Sequence, residues 1–249
     1  MAKDALHWKM MFDLISVCSR EHTPKGLAVS ILEHIGDFCP FDQGFVYFFD
    51  GNGRVCDQYL KNISDRCSVL YLDYYIHADE SKYSCYKEYR EAQSHPLLKI
   101  HDWEKEDSLD FVPNFIRPRG LKYSASFVLY DLNGNYRTVF SLDRTRPAPF
   151  QEQELESLRS LIPVFNGIHK NFYYEEFNQT ELRMKLWQNV RLTEREIQVA
   201  NLLCQGVSPA NISRTLYIAP KTTYRHISNI YKKLHVSSRQ ELLVLLLRQ

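Results

Sequence analysis

Apolar residues follow two periods along this chain. Over the first 35 residues they recur at helical spacing: Trp8, Met11, Phe12, Ile15 and Val17, then Leu27, Ile31 and Ile35. Thr23-Pro24, between the two groups, reads as a helix cap followed by proline at the first helical position. The period then shortens. "QGFVYFFDGNGRVCDQYL" places two runs of β-forming residues around Asp-Gly-Asn-Gly, and "SASFVLYDLNGNYRTVFSLDR" does the same around Asn133-Gly134. Both predict β-hairpins. Between them, residues 64 to about 92 predict aromatic-rich helix, and the stretch beyond, with prolines at 96, 113 and 118, predicts loop. After "RPAPF" the helical period returns in "QEQELESLRSLIPVFNGIHKNFYYEEF", with Leu155, Leu158, Leu161 and Ile162 as its stripe. Helix, hairpin, helices, hairpin and long helix together predict an α+β domain over residues 1–174, an antiparallel sheet flanked by helices in the manner of GAF and PAS folds.

The last sixty residues read differently. A polar stretch, residues 175–189, leads into four short helical segments over 190–249. Thr193 and Glu196 form a capping box, Gly206 marks a helix end, and Ser208-Pro209 opens a second helix. In "PKTTYRHISNIYKKL", residues 220–234, Thr223, Ile227, Ile230 and Leu234 share one face. The remaining faces carry Lys221, Thr222, Tyr224, Arg225, Ser228, Asn229 and Lys232, with no acid among them. An ordinary exposed helix mixes in glutamates for i,i+4 pairs. Their exclusion fits a face that lies against phosphates, and two helices joined by a tight turn predict a helix-turn-helix. "SSRQELLVLLL" closes the chain as a last helix, capped by Ser237 or Ser238 and apolar enough to serve as a dimer contact.

Charge sharpens this division. The whole chain carries +1, yet from residue 190 onward nine basic residues face three acidic ones, a net of +6, which leaves −5 for the rest. A basic module on a mildly acidic domain points to a polyanion partner for the module alone. At 44% hydrophobic and 24% charged, the composition supports a buried core. The six cysteines form no C-x-x-C pair and read as reduced, mostly buried thiols of a cytoplasmic protein. The opening "MAKDALHWKMMF" lacks the apolar run of a signal peptide, and "LLVLLL" is too short to span a bilayer, so no membrane association is expected.

The segment "LTEREIQVANLLCQGVSPANISRTLYIAPKTTYRHISNIYKKLHVSSRQEL" resembles the LuxR-type DNA-binding domain over its whole length. The pattern is carried by Leu192, Thr193, Arg195, Glu196, Gly206, Ile212, Leu216, Thr222, His226, Ile230, Lys233, Leu234, Val236 and Arg239. Departures are local: Thr223 stands where valine is usual, Gln198 for glutamate, Tyr224 where a lysine is common, and His235 for glycine. The resemblance implies that the third helix reads duplex DNA as part of a homodimer. Tyr224, Arg225, Ser228 and Asn229 are then candidates for base edges, and Lys221, Thr222, His226, Lys232 and Lys233 for phosphates.

The first domain lacks the acidic pair and alternating β/α units of a receiver, and it lacks a P-loop. Residues 109–165 are similar to GAF-like domains that precede LuxR-type modules, through "F-x-R-P-x-G-L" at Phe115–Leu121, Arg144 at a strand end, and "P-F-x-x-x-E-L" at Pro149–Leu155. "YLDYYIHADESKY" is similar to the Tyr and Asp region of acyl-homoserine-lactone receptors, without that family's adjoining tryptophan or Asp-Pro pair. A ligand cavity between sheet and middle helices would use Tyr71, Tyr75, Tyr83, Tyr86 and Trp103 as walls and Asp79 as polar anchor. His95 and His101 match no metal-ligand spacing and read as loop residues; no cofactor is implied. No nucleophile, base and orienter come together, so the chain does not read as an enzyme. The expectation is a bacterial transcription regulator under the control of a small molecule or a partner at the first domain. The alternative is a ligand-independent regulator whose first domain dimerises or recruits a partner such as RNA polymerase.

Overall fold

The computed structural model describes residues 2–76, 98–106, 108–176, 184, 187 and 189–247. The chain divides into two compact units, Met1–Tyr174 and Glu175–Gln249.

Unit 1 opens with helices α1 (Ala2–Cys18) and α2 (Pro24–His34). Thr23 starts α2 as the sequence suggests: its Oγ1 accepts from the Gly26 amide at 2.9 Å, and Pro24 supplies a fixed φ without a wasted N–H. The hairpin of β1 (Gln43–Phe49) and β2 (Val55–Lys61) follows, closed by Asp50, whose Oδ1 accepts from the Asn52 and Arg54 amides. A helix α3 (Asp65–Leu70) runs into a π-helical turn at Tyr71–Tyr75. Next come β3 (Leu98–Asp102), helical turns at Val112–Ile116 and Arg117–Arg119, the hairpin β4 (Tyr123–Tyr130) and β5 (Tyr136–Arg144), and the long helix α4 (Glu152–Asn171). The second hairpin turns at Gly134, whose φ of 79° suits glycine, and Asp131 Oδ1 accepts from the Asn133 and Asn135 amides.

The strands form one antiparallel sheet in the order β2-β1-β5-β4-β3, the GAF/PAS-like arrangement in which the two hairpins meet along β1 and β5. Strand β3 corrects the expectation of a loop. It is five residues long, pairs among the described residues only with β4, and leaves Ile100 exposed, so it has too little alternation to register as a strand. His101 sits on it with its side chain buried rather than in a loop.

Both faces of the central strands are buried; all nine residues of β5 are. Val46, Phe48, Ala125, Phe127, Leu129, Phe140 and Leu142 point to one face and meet Leu27, Ile31, Leu158, Leu161, Ile162 and Phe165 from the helices. Phe127 and Phe140 stack there with centroids 4.4 Å apart. Arg144 fastens this layer to α4. Its guanidinium donates to the Pro40, Ala148 and Pro149 carbonyls and to Glu154 Oε1 at 2.8 Å, and lies over the Phe150 ring. The "P-F-x-x-x-E-L" motif thus supplies the ring and carboxylate that hold a buried arginine. The cysteines are less buried than composition suggests: among those described, Cys18 and Cys39 are buried, Cys67 and Cys204 half-buried, and Cys56 exposed.

Unit 2 contains α5 (Glu194–Cys204), α6 (Pro209–Thr215), α7 (Pro220–Leu234) and α8 (Arg239–Leu247) around a core of Leu192, Val199, Ala200, Leu203, Ile212, Ile227, Ile230, Leu234 and Leu242. Trp187, in the stretch read from sequence as polar linker, is fully buried in this core, and its Nε1 donates to Asn201 Oδ1 at 3.2 Å. No helix among the described residues is long and apolar enough to cross a membrane.

Candidate functional site

Among the described residues two places stand out as candidate sites, one in each unit. In unit 2, the capping box at the start of α5 forms as its sequence predicts. Thr193 Oγ1 accepts from the Glu196 amide, and Glu196 Oε2 accepts from the Thr193 amide at 2.9 Å. Glu196 also receives Lys233 Nζ at 2.7 Å, which ties α5 to the end of α7. Burial pushes the Glu196 carboxyl up, but its hydrogen bonds from Lys233 and Thr193 outweigh that and hold it below the usual carboxylate range.

Helix α6 starts at Ser208, whose Oγ accepts from the Asn211 amide, and ends in a turn through Tyr217. Tyr217 has φ 51° and is 95% exposed. The left-handed residue lets the chain reverse in three positions before Pro220 opens α7, as a helix-turn-helix requires. Thr223, Ile227, Ile230 and Leu234 are the buried side of α7. Thr223 Oγ1 lies 3.0 Å from Ser213 Oγ, so the hydroxyl that replaces a usual valine has a buried partner on α6. His235 ends α7 at φ 55°, where glycine fits without strain. Ser238 Oγ accepts from the Glu241 amide and caps α8.

The outer side of α7 is where sequence reasoning expected contacts. Lys221, Tyr224, Arg225, Ser228 and Lys232 are exposed, Tyr224 at 61%, and Thr222, His226 and Asn229 are half-buried. Lys233 stands apart: its ammonium also donates to the Arg191 carbonyl at 3.1 Å, which leaves one N–H for a phosphate. The helix therefore presents a cationic, donor-rich surface about 22 Å long (fifteen residues at 1.5 Å each), of the size that enters a major groove.

Residues 190–246 match the family model described as bacterial regulatory proteins, luxR family. The C-terminal module belongs to the luxR family. Those residues are thus a LuxR-type DNA-binding helix-turn-helix module. Over 220 residues the chain is 21% identical to the monoamine regulon transcriptional regulator of Klebsiella aerogenes, covering 85% of this chain and 86% of that protein. Over 58 residues it is 43% identical to the nitrate/nitrite response regulator protein NarP of Escherichia coli, which takes in 23% of this chain and only 27% of NarP. Among solved structures, the N-acylhomoserine-lactone-dependent LuxR-family transcription factor CepR2 of Burkholderia cenocepacia aligns with a TM-score of 0.48 at 17% identity, covering 66% of this chain and 93% of that one.

The unit preceding this LuxR-type module contains the second place. On the sheet face opposite the helical core, Ser124, Ser126, Ser141 and Asp143 form a small-residue floor beneath Phe45, Tyr47, Tyr71, Phe111, Phe115 and Trp103. The space between them has a volume of about 40 Å³, room for a few water-sized groups. Tyr71 and Trp103, two of the expected walls, line it. Tyr75 backs it, its ring 5.0 Å from Phe115. Tyr83, Tyr86, Asp79 and His95 lie outside the described residues. His101, expected as a loop residue, lines the cavity and stacks on Trp103 at 4.6 Å.

The cavity's buried charges escaped the sequence reading. Asp143 accepts from Ser124 Oγ at 2.7 Å, Ser141 Oγ at 2.8 Å and Arg119 at 3.0 Å; Trp103 Nε1 donates to Ser124 Oγ at 2.7 Å. Arg119 occupies the second variable position of the "F-x-R-P-x-G-L" motif, and Asp143 lies in a strand read for its hydrophobic pattern. An ionic side chain in a strand that is otherwise buried on both faces was the available signal. Burial pushes the Tyr47 phenol up to about 12, so it remains a neutral hydroxyl, 3.0 Å from Ser68 Oγ.

Proposed function

We propose that this regulator binds a two-fold operator as a homodimer through α7 and that occupancy of the unit 1 cavity controls that binding. Tyr224, Arg225, Ser228 and Asn229 read base edges; Arg225 is suited to a bidentate contact with guanine. Lys221, Thr222, His226, Lys232 and the remaining N–H of Lys233 set register on the phosphates. The observation that carries the reading is the outer side of α7, which has exposed cations and no carboxylate among its fifteen residues. Control by a small molecule is supported by the aromatic-walled cavity with its polar floor, placed on the sheet face that the helical core leaves open.

The test begins with selection of binding sites from a random duplex pool. Binding of the selected duplex by the folded Arg225→Glu/Lys232→Glu variant is then compared with that of the natural chain. Loss of binding by two orders of magnitude or more is expected at moderate salt, because two favourable phosphate or base contacts become repulsions. Equal binding would remove α7 from the interface.

A second reading has its own observation. Helix α1 exposes Leu6, Trp8, Met10 and Phe12, at 60%, 55%, 39% and 67%. Such an apolar helix surface suits unit 1 to dimerisation or partner recruitment, RNA polymerase included, without any ligand. The two readings separate on whether cavity variants alter operator affinity.

A further inference from the structure

Two tyrosines lie on α7, and their surroundings differ. Tyr231 is half-buried and packs against the unit 2 core. Tyr224, the fifth residue of the helix, is 61% exposed, and Lys221, Arg225 and Ser228 around it are exposed too. Neither the core nor the helix accounts for a ring at this place. With most of its surface in solvent, Tyr224 adds little to packing. Tyrosine also forms helix less readily than lysine or arginine. On a helix that faces phosphates, a neutral ring forgoes the counterion release that a lysine would bring. The ring's contribution must then come from apolar surface that is buried when α7 meets its partner.

The major groove offers such a ring one target. Base edges there present hydrogen-bond donors and acceptors and a single apolar group, the 5-methyl of thymine. The N-terminal half of the second helix of a helix-turn-helix is the part that reaches those edges, and Tyr224 lies in it.

We propose that Tyr224 selects operator sequence by packing its ring against the 5-methyl group of a thymine in the major groove. The proposal rests on the reading of α7 as the groove helix and adds the base that one of its residues selects. Cytosine methylated at carbon 5 carries the same methyl. The two bases differ at carbon 4, where thymine has an oxygen acceptor and cytosine an amino donor. Lys221 and Arg225, the exposed cations nearest Tyr224 along the helix, can only donate. They favour the acceptor, so the base is thymine. A ring packed on a deoxyribose, or a hydroxyl bonded to a phosphate, would leave the base free to vary.

The test uses the full chain and the duplex selected from a random pool. Each thymine in turn is replaced by deoxyuracil, which removes the methyl and keeps the pairing and the oxygen at carbon 4. At one position the replacement is expected to weaken binding about fourfold, the scale of one buried methyl group. The same penalty should appear in Tyr224→Phe, which keeps the ring, and vanish in Tyr224→Ser, which keeps only a hydroxyl. Tyr224 is exposed, so both variants leave the unit 2 core untouched. At that position 5-methylcytosine opposite guanine should bind more tightly than cytosine opposite guanine and less tightly than thymine opposite adenine. A selected site without thymine, a scan in which no deoxyuracil weakens binding, or penalties that all persist in Tyr224→Ser would overturn the methyl contact. A penalty lost in Tyr224→Phe would move recognition to the hydroxyl and overturn the part played by the ring. Binding of 5-methylcytosine as tight as that of thymine would overturn the choice between the two bases. The Arg225→Glu/Lys232→Glu variant on the same duplex keeps the levels apart. If charge reversal abolishes binding while the deoxyuracil scan is flat, only the role of Tyr224 falls; if charge reversal changes nothing, α7 is not the groove helix and both readings fall.

Discussion

Arg225 and Lys232 illustrate how two exposed cations on one helix can be told apart. A bidentate arginine contact discriminates bases, so Arg225→Ala should weaken the selected duplex by about 1–3 kcal/mol and relax the preference at one base pair. A phosphate contact carries no sequence information. Lys232→Ala should weaken all duplexes alike and lower the slope of log K against log salt by about 1. Fluorescence anisotropy over a salt series separates the two; a Lys232→Ala change confined to one sequence would contradict the assignment. Thr223 illustrates the opposite case, a polar residue on a buried side. Its hydroxyl meets Ser213 Oγ, which donates to the Pro209 carbonyl at 2.8 Å. Thr223→Val should therefore change stability by no more than about 1 kcal/mol, because the Ser213 hydroxyl keeps a partner. A thermal melt that fell much further would show that the Thr223 hydroxyl matters beyond this pair.

At the scale of elements, the join between α4 and the second hairpin has a built-in pH limit. His169, fully buried on α4, donates from Nδ1 to the Tyr130 carbonyl at 3.1 Å, the only role that oxygen allows. Its Nε2 accepts from the Thr138 hydroxyl at 2.9 Å. The second bond requires the neutral ring, and burial lowers its pKa to about 4. The unfolded chain binds this proton near pH 6.5, the folded chain only near 4, so stability is complete above about 6.5 and falls as pH drops through that window. The total loss by pH 4 is of the order of 3 kcal/mol. Urea melts of the natural chain and His169→Gln at pH 7 and pH 5 check this. The natural chain should lose more stability than the variant, and equal losses would refute it. The clip between α5 and α7 has the same sign. Glu196, held below its usual range, contributes stability that is present above the ordinary glutamate pKa and lost on acidification.

At the scale of the whole molecule, the proposed coupling is tested by filling the cavity without a ligand. Ser126→Phe, on the serine floor, should change the operator affinity of the full chain by roughly 5- to 150-fold if cavity occupancy biases the DNA-binding state. An unchanged affinity in a folded variant would leave the ligand-independent reading. How much of this was legible beforehand depended on the range of the interactions involved. The caps at Thr23, Thr193 and Ser208, the two hairpin turns, and the buried stripe and cationic side of α7 were all readable, because each is set by residues within a few positions of one another. Strand β3 was not, because a short edge strand takes its conformation from β4 across the ladder rather than from its own pattern. Nor was the place of Trp187, which looks like one aromatic in a polar run until the helices of unit 2 close around it. The cavity floor is the clearest case: Arg119, Ser124, Ser141 and Asp143 are separated along the chain and meet only where β4 and β5 pair beneath the turn at 117–119. The sequence by itself determined the local elements and the chemistry of the outer side of α7, since both rest on short-range periodicity and capping. Only the tertiary structure decided which polar groups share a buried site, since desolvation and ion pairing depend on neighbours that the order of residues does not bring together.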